Sequence, residues 1–371
     1  MVKWLFVKVW LKGFFEMKRV LILFGGVSSE YEVSLLSAKS VIDNIDKTQW
    51  EVLTVGITRD GQWFLYTGKS ENIASGAWCS DTENCTRAAL SPDRSVHGLT
   101  VFRPSGVAQI FVDVVFPVLH GKNGEDGTMQ GFLQLAGIPF VGCDALSSAM
   151  SMDKAATNTM ADFIHIPQAK WLCTHKWEYD ADPDGFCHKC TAFLGYPLFV
   201  KPANAGSSVG ITKVHSETEL DEAIRLALSH DAKVVLEEGI DGIELECAVI
   251  GNESPEAPMV GEISPCNDFY DYEAKYIAGD SALYIPARIS DETFRTVQQY
   301  AVEIYRSLGC SGLSRVDFFM RKSDNKVLFN EINTIPGFTS ISMYAKMLVA
   351  AGIPYGEIVT RLLNLAIEKW S

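Results

Sequence analysis

KRVLILFGGVSSEYEVSLLSAKSVIDNI, Lys18 to Ile45, decides the fold class. Lys18–Phe24 is an apolar run of strand length that ends in Gly25-Gly26. Beyond the glycines, Val33, Leu36, Ser37, Ser40 and Val41 share one helical face, flanked by Leu35, Ala38 and Ile42. Strand, glycine turn and helix in that order open an open α/β sheet.

Working outward, WEVLTVGIT reads as a second strand and DGQWFLY as a hairpin piece with an Asp-Gly turn. DVVFPVLHG is a buried strand running into a glycine-rich loop, and IPFVG reads as another strand. Residues 17–145 therefore form a Rossmann-like unit whose ligands belong at the carboxyl ends of its strands. A central block, 146–235, opens with a helix in ALSSAMSMDKAATNTMADF and includes the strands YPLFVKP and GITKV. Ser216 with Glu219 three residues on predicts a capping box for the helix SETELDEAIRLALSH. A third block, 236–371, alternates strands and helices, among them a helix over Asp291–Leu308 stopped by Gly309. The fold class is α/β and α+β in three domains.

Upstream of Met17, MVKWLFVKVWLKGFFE is shorter than the ~20 residues a membrane span needs and is interrupted by lysines. No small-residue cleavage site follows it, as a signal peptide would require. Met17 directly precedes the first strand and offers an alternative start, so residues 1–16 are set apart as an extension.

The length of 371 residues fits two or three domains, each able to bury its own core. A net charge of −14 argues against a nucleic-acid-binding surface or tight adhesion to anionic membranes. Nine cysteines without a disulfide spacing point to a reducing compartment, the cytoplasm. Cys173, His175, Cys187, His188 and Cys190 could hold zinc, but the second half lacks the matching pair spacing. A surface segment is the plainer reading.

Chemistry concentrates in four places. In SRVDFFMRKSDNKVLFNEINTIPG, a hairpin centred on Asp324 puts Asp317 and Glu331 opposite each other, with Asn333 on the same face. Two carboxylates about 4 Å apart repel by roughly 4 kcal/mol at an effective dielectric near 20. A divalent cation removes that cost, and an all-oxygen set suits magnesium with nucleotide phosphates. Ordinary solvated acids are the alternative, weighed against the apolar Phe318, Phe319, Val327 and Leu328 on the same strands. In FVKPANAGSSVGITKV, Lys201 ends a strand and Gly206-Ser207-Ser208-Val209-Gly210 can bring backbone N–H groups to phosphate. Glycine-serine hairpin tips are also common without a ligand. Lys154 offers a second cation. In LHGKNGEDGTMQG, His120 and Glu125-Asp126 lie among glycines after a strand, either as a ligand loop or as a turn with Asp126 capping a helix. Glu30, before a helix, either complements its dipole or meets a substrate ammonium.

FGGVSSEYEVSL, HGKNGEDGTMQG, SMDK, VKPANAGSSVGITKV, FYDYEAKY, GLSRVDFF and NEINTIPGFTSIS follow one another in the order of a known family. From about Lys18 to the C-terminus the chain resembles the D-alanine–D-alanine ligases, members of the ATP-grasp superfamily. The resemblance implies a three-domain ATP-grasp fold and ATP-dependent joining of two D-alanines through an acyl phosphate, for peptidoglycan. It implies that Lys154 and Lys201 hold the ATP phosphates and that the loop Gly206–Gly210, with Ser208 and Val209, covers them. Glu237, Glu238 and Ile240 match the adenine-side linker, Glu244 the ribose contact, and Lys275 lies in the same ATP-side set. Glu238 stands where the family usually has lysine. Asp317, Glu331 and Asn333 match the ligands of magnesium, with two ions implied and manganese as a substitute. Glu30 resembles the partner of the first D-alanine's ammonium, Ser207 and Tyr276 its companions, and His120 the histidine beside that substrate. Arg315 and the Gly337 N–H resemble the groups that polarise the reacting carbonyl, while Ser342 and Met343 match residues facing the second substrate.

The family resemblance also implies a homodimer. FYDYEAKY is similar to the dipeptide-forming members, whereas ITRDGQWFLYTG and NEINTIPGFTS also occur in resistance-type D-serine or D-lactate ligases, which stand as the alternative. A relative that binds nucleotide without catalysis would lack part of the phosphate and metal set. Here Lys154, Lys201, Asp317, Glu331 and Asn333 are all present.

Overall fold

The computed structural model describes residues 17–206, 209–264, 282–339 and 341–370. Three sheets organise them. The first has seven strands: β1 (Lys18–Gly25), β2 (Trp50–Ile57), β3 (Trp63–Tyr66), β4 (Cys85–Leu90), β5 (Gly98–Arg103), β6 (Gly106–Phe111) and β7 (Val114–Pro117). Their order is β6-β5-β4-β3-β2-β1-β7, with β1 parallel to both β2 and β7 and the remaining pairs antiparallel. Val20 to Phe24 are fully buried, so β1 reads as a continuous apolar run rather than an alternation. IPFVG supplies only an isolated bridge, Val115 with Phe140, because the chain turns away after one pairing.

Gly25 closes β1 at φ +85°, and a Cβ there would lie 2.2 Å from the Ile57 carbonyl oxygen. Only glycine fits that corner. The helix Tyr31–Asn44 follows, and its buried face keeps Val33, Ser37 and Val41 of the expected stripe but not Leu36. Ser34, Leu35, Ser37, Ala38, Val41 and Ile42 point inward, while Leu36 is 46% exposed. The inward serines are satisfied by hydrogen bonds: Gly25 N donates to Ser34 Oγ at 2.8 Å, and Ser37 Oγ lies 3.0 Å from His120 Nε2.

The second sheet is antiparallel, in the order β10-β9-β11-β8, from β8 (Trp171–His175), β9 (Leu198–Pro202), β10 (Thr212–Val214) and β11 (Lys233–Glu238). The helices Pro183–Leu194 and Glu217–His230 cover it and share one apolar core with it. Cys190 lies in that core and Cys173 on an exposed strand position, so the structure does not gather the cysteine–histidine cluster. The capping box takes another form. Glu219 accepts from His215 N and from the Ser216 hydroxyl, and Ser216 makes no cap bond to the helix backbone.

The third sheet runs β14-β13-β12-β15-β16, from β12 (Gly242–Gly251), β13 (Glu256–Ser264), β14 (Ala282–Tyr284), β15 (Gly312–Arg321) and β16 (Val327–Asn333). The helices Lys154–Phe163 and Asp291–Ser307 pack on one side of it. The C-terminal helix Tyr355–Trp370 returns to contact β7, β12, β15 and the helix Tyr31–Asn44. First and third sheets thereby share a continuous apolar cluster that includes Ile22, Phe116, Ala248, Leu313 and Phe338. Among the described residues no helix is long and apolar enough to cross a membrane.

Candidate active site

The β15–β16 hairpin places Arg315 opposite Asn333 and Asp317 opposite Glu331, with a register shift just after Asp317. Residues two apart on a strand share a face, so these four polar side chains project together. Glu246 on β12 lies opposite Asp317 from the other side and joins them. Arg315 Nε and Nη2 donate to the two Asp317 oxygens at 2.8 and 2.7 Å, and Nε lies 3.1 Å from Glu246 Oε1. Asn333 Nδ2 donates to Asp317 Oδ2 at 3.0 Å. Burial would push the Arg315 guanidinium down, but Asp317 and Glu246 hold it well above its ordinary value. The sequence reading missed Glu246. Its signal is the alternation of Glu244 and Glu246 within the otherwise apolar GIELECAVIG.

On the side of the second sheet, Asp153 caps the helix Lys154–Phe163 by accepting from Ala155 N and Ala156 N, and it pairs with Lys233. This cap fixes Lys154 at the first helical position, where its Nζ donates to the Ala205 carbonyl at 2.8 Å. Burial pushes the Lys154 ammonium below its ordinary value; Glu331 opposes that shift and Lys201 adds to it. Lys201 on β9 donates to Glu237 Oε2 at 2.5 Å, and Asn158 Nδ2 donates to Glu237 Oε1 at 3.0 Å. Burial alone would lower Lys201, yet Glu237 and then Glu331 raise it.

Opposite, the loops after β1 and β7 deliver Glu30 and His120, which are 9% and 3% exposed. A Cβ on Gly206 would lie 2.5 Å from Glu30 Oε1, and one on Gly121 2.9 Å from it. Two glycines from different sheets thus make room for this carboxylate. His120 Nδ1 faces the Ile335 carbonyl at 3.0 Å and Glu125 Oε1 at 3.3 Å, and Nε2 lies 3.0 Å from Ser37 Oγ. Burial would lower the ring, but Glu125 and more distantly Glu30 raise it above its ordinary value. Asp126 accepts from Asn123 N and Thr128 N, so it shapes the turn while His120 and Glu125 face the cavity.

One cavity gathers Glu30, His120, Lys154, Gly206, Arg315, Glu331, Asn333 and Gly337. Lys201 and Glu237 do not line it. Glu238 and Ile240 lie where the chain passes from β11 to β12; Glu238 Oε1 accepts from Lys170 N at 2.9 Å. Glu244 lies on the same face of β12 as Glu246. Val209 is exposed beside Gly206, its N–H donating to the Gly206 carbonyl at 3.1 Å. Ser342 starts the helix Met343–Ala350 and bonds Thr339, outside the cavity lining. Ser207, Ser208, Lys275 and Tyr276 lie outside the described residues.

The Lys154 ammonium on the cavity wall, with Lys201 near it, and a cluster of carboxylate and amide oxygens can hold a polyphosphate with a hard divalent cation. The all-oxygen set of Asp317, Glu331 and Asn333 fits magnesium by donor chemistry. A carboxylate and an imidazole on the opposite wall can orient an amino acid toward that phosphate. Three such sheets around one cleft define an ATP-grasp ligase, which activates a carboxylate with ATP for attack by an amine.

Comparison with known proteins narrows the class. The D-ala D-ala ligase N-terminus model matches residues 19–143 and the D-ala D-ala ligase C-terminus model residues 160–364. A D-alanine–D-alanine ligase from Caldicellulosiruptor bescii is 49% identical over 351 residues, 95% of each chain. The crystal structure of VanG D-Ala:D-Ser ligase from Enterococcus faecalis superposes with a TM-score of 0.85 at 44% identity, covering 95% of this chain and 100% of that one. The D-alanine–D-alanine ligase from Coxiella burnetii gives 0.82 at 32% identity, covering 95% and 96%. The chain belongs to the D-alanine–D-alanine ligase family.

Proposed function

We propose that the chain joins two D-alanines at the expense of ATP, supplying D-alanyl-D-alanine for peptidoglycan. The observation that carries the reading is the cavity where Glu30 and His120 face Lys154, Arg315, Glu331 and Asn333. Lys154 and Lys201 hold the phosphates, the loop Gly206–Gly210 covers them, and Glu237 to Ile240 with Glu244 border the nucleoside. Lys275 belongs to the same ATP-side set. Asp317, Glu331 and Asn333 are the residues that would hold magnesium, as two ions, with manganese able to replace them. When bound, the metal neutralises phosphate charge and orients the phosphoryl group.

Glu30 takes the first D-alanine's ammonium, with Ser207 and Tyr276 as companions, and His120 stands beside it. One carboxylate oxygen attacks the γ-phosphorus and ADP leaves, giving an acyl phosphate. Arg315 and the Gly337 N–H stabilise the oxyanion that forms when the second amine attacks the carbonyl. The tetrahedral species collapses, phosphate departs with the C–O bond electrons, and the amine's proton passes to the departing phosphate. Ser342 and Met343 border the second substrate. Loop closure keeps water from the acyl phosphate. The working enzyme is a cytoplasmic homodimer.

The likeness to a D-Ala:D-Ser ligase structure supports a second reading, in which D-serine takes the second site. The two substrates differ by one hydroxyl, which an apolar pocket rejects poorly. The test is phosphate release from Mg-ATP with D-alanine alone, then with D-serine or D-lactate added, products identified by mass. D-alanyl-D-alanine from D-alanine alone supports the first reading, whereas a mainly mixed product would replace it with the second. No D-alanine-dependent phosphate would sink both.

A further inference from the structure

Ser37 is fully buried on the helix Tyr31–Asn44, yet its hydroxyl touches two loops far away in sequence. Phe338 N donates to Ser37 Oγ at 3.1 Å, and His120 Nε2 lies 3.0 Å from the same oxygen. The other ring nitrogen of His120 meets the Ile335 carbonyl at 3.0 Å. Two residues from the first sheet's unit therefore grip both ends of the segment Ile335–Phe338. Between those ends, Pro336 and Gly337 line the cavity. Aromatic contacts anchor the Phe338 ring itself, at 5.8 Å from Phe116 and 5.5 Å from Tyr355.

A serine hydroxyl suits this junction because it has one donor and two lone pairs. It can accept the Phe338 N–H while it donates to a neutral imidazole or accepts from a charged one. His120 faces acceptors on its Nδ1 side, so Nδ1 carries a proton in either state. Alanine would leave the Phe338 N–H and the imidazole nitrogen buried without this partner.

We propose that Ser37 is a positioning residue: by holding the Phe338 N–H and the His120 ring together, it sets the Gly337 N–H against the reacting carbonyl. The claim rests on the reading of Gly337 as a carbonyl donor. Ser37 does not line the cavity, so its effect falls on the chemical step and not on nucleotide binding.

The experiment compares wild type with Ser37→Ala and Ser37→Cys in the full chain by two readouts. Hydrogen exchange of the 335–339 backbone, read by mass spectrometry, reports the grip without needing activity. Steady-state phosphate release with D-alanine gives kcat and the KM for ATP. Exchange of this segment should speed up at least about tenfold, in line with a lost buried hydrogen bond. Turnover should fall on the order of ten- to a hundredfold, as small misplacements do, with the KM for ATP changed less than about threefold. Unchanged exchange in folded variants overturns the proposal, as does unchanged turnover or an ATP KM that rises in step with the lost turnover. Where Ser37→Ala does not fold, Ser37→Cys decides, since its thiol fills the site with only a weak donor. If wild type itself releases no D-alanine-dependent phosphate, the functional reading fails, and the exchange data alone decide whether Ser37 holds the segment.

Discussion

Removing the Arg315 side chain should damage stability and turnover by separate amounts, and magnesium should repair only the first. Arg315 is the shared cation of Asp317 and Glu246, whose side chains are 2% and 3% exposed and which oppose each other across β12 and β15. Arg315→Ala leaves these carboxylates facing one another without that guanidinium. Breaking a buried ion pair by deleting one partner costs about 3–5 kcal/mol. Two unit charges some 4 Å apart repel by roughly 4 kcal/mol at an effective dielectric near 20, which gives the same size. Millimolar magnesium supplies a replacement charge beside Asp317 and should recover part of the loss. Turnover is a different quantity. Losing one donor to the developing oxyanion costs about 3–4 kcal/mol, a two- to three-order drop in kcat that no metal addition restores. Denaturant unfolding with and without magnesium, alongside D-alanine-dependent phosphate release, measures both. Arg315→Lys keeps the charge but loses the two-pronged geometry, so it should be far less destabilised while still slow. A folded Arg315→Ala protein within tenfold of wild-type turnover would refute the catalytic assignment. Unchanged unfolding free energy would refute the electrostatic one.

Three further outcomes follow from other parts of the cavity and its supports. Gly206→Ala puts a Cβ within 2.5 Å of Glu30 Oε1, so the carboxylate must shift; the KM for D-alanine should rise about tenfold, and an unchanged KM for D-alanine would count against Glu30 as the ammonium partner. Lys154 is held below its ordinary value mainly by burial, and bound phosphate should raise it again. ATP binding at alkaline pH should therefore take up protons, read by calorimetry in buffers of different ionisation enthalpy, and no uptake would contradict the phosphate role. Glu262 is buried against Arg288, whose hydrogen bonds hold its carboxyl below the usual range. Its stabilisation is present above the unfolded glutamate value near 4.3 and lost as pH falls through the lower folded value, so Glu262→Gln should flatten acid unfolding below about pH 4.

What could be read in advance depended on how local its cause is. The hairpin centred on Asp324 was legible because strand alternation and a polar tip fix which residues meet, and the observed pairing of Asp317 with Glu331 follows. The register shift beyond Asp317 was not, since nothing in FFMRKSDNKVLF marks it. Helix periodicity placed Leu36 and Ser37 on the buried stripe; the helix Tyr31–Asn44 buries Ser37 but leaves Leu36 exposed and turns Ser34 inward. Hydrogen bonds to Gly25, His120 and Phe338 make that orientation favourable, and Phe338 is 301 residues away from Ser37. The partners of Lys154 and Lys201 were hidden for the same reason. Asn158 and Lys201 meet at Glu237 only because the helix Lys154–Phe163 crosses the end of β11.

The two sides of the cavity are held by different forces. Glu30, His120 and Arg315 stand on units that share one continuous apolar cluster, closed by the C-terminal helix. Lys201 and the glycine loop stand on the four-stranded sheet, which has its own core. That sheet meets the helix Lys154–Phe163 through the small cluster of Ala155, Ala203 and Val235 and through polar links: Lys233 with Asp153, and Glu237 with Asn158. Apolar packing resists shear, because every displaced methylene loses contacts. Ion pairs and hydrogen bonds exchange partners at lower cost when a new charge arrives. The wall that carries Glu30 and His120 is therefore the rigid one, and the wall on the four-stranded sheet is the one whose charges a bound anion can rearrange.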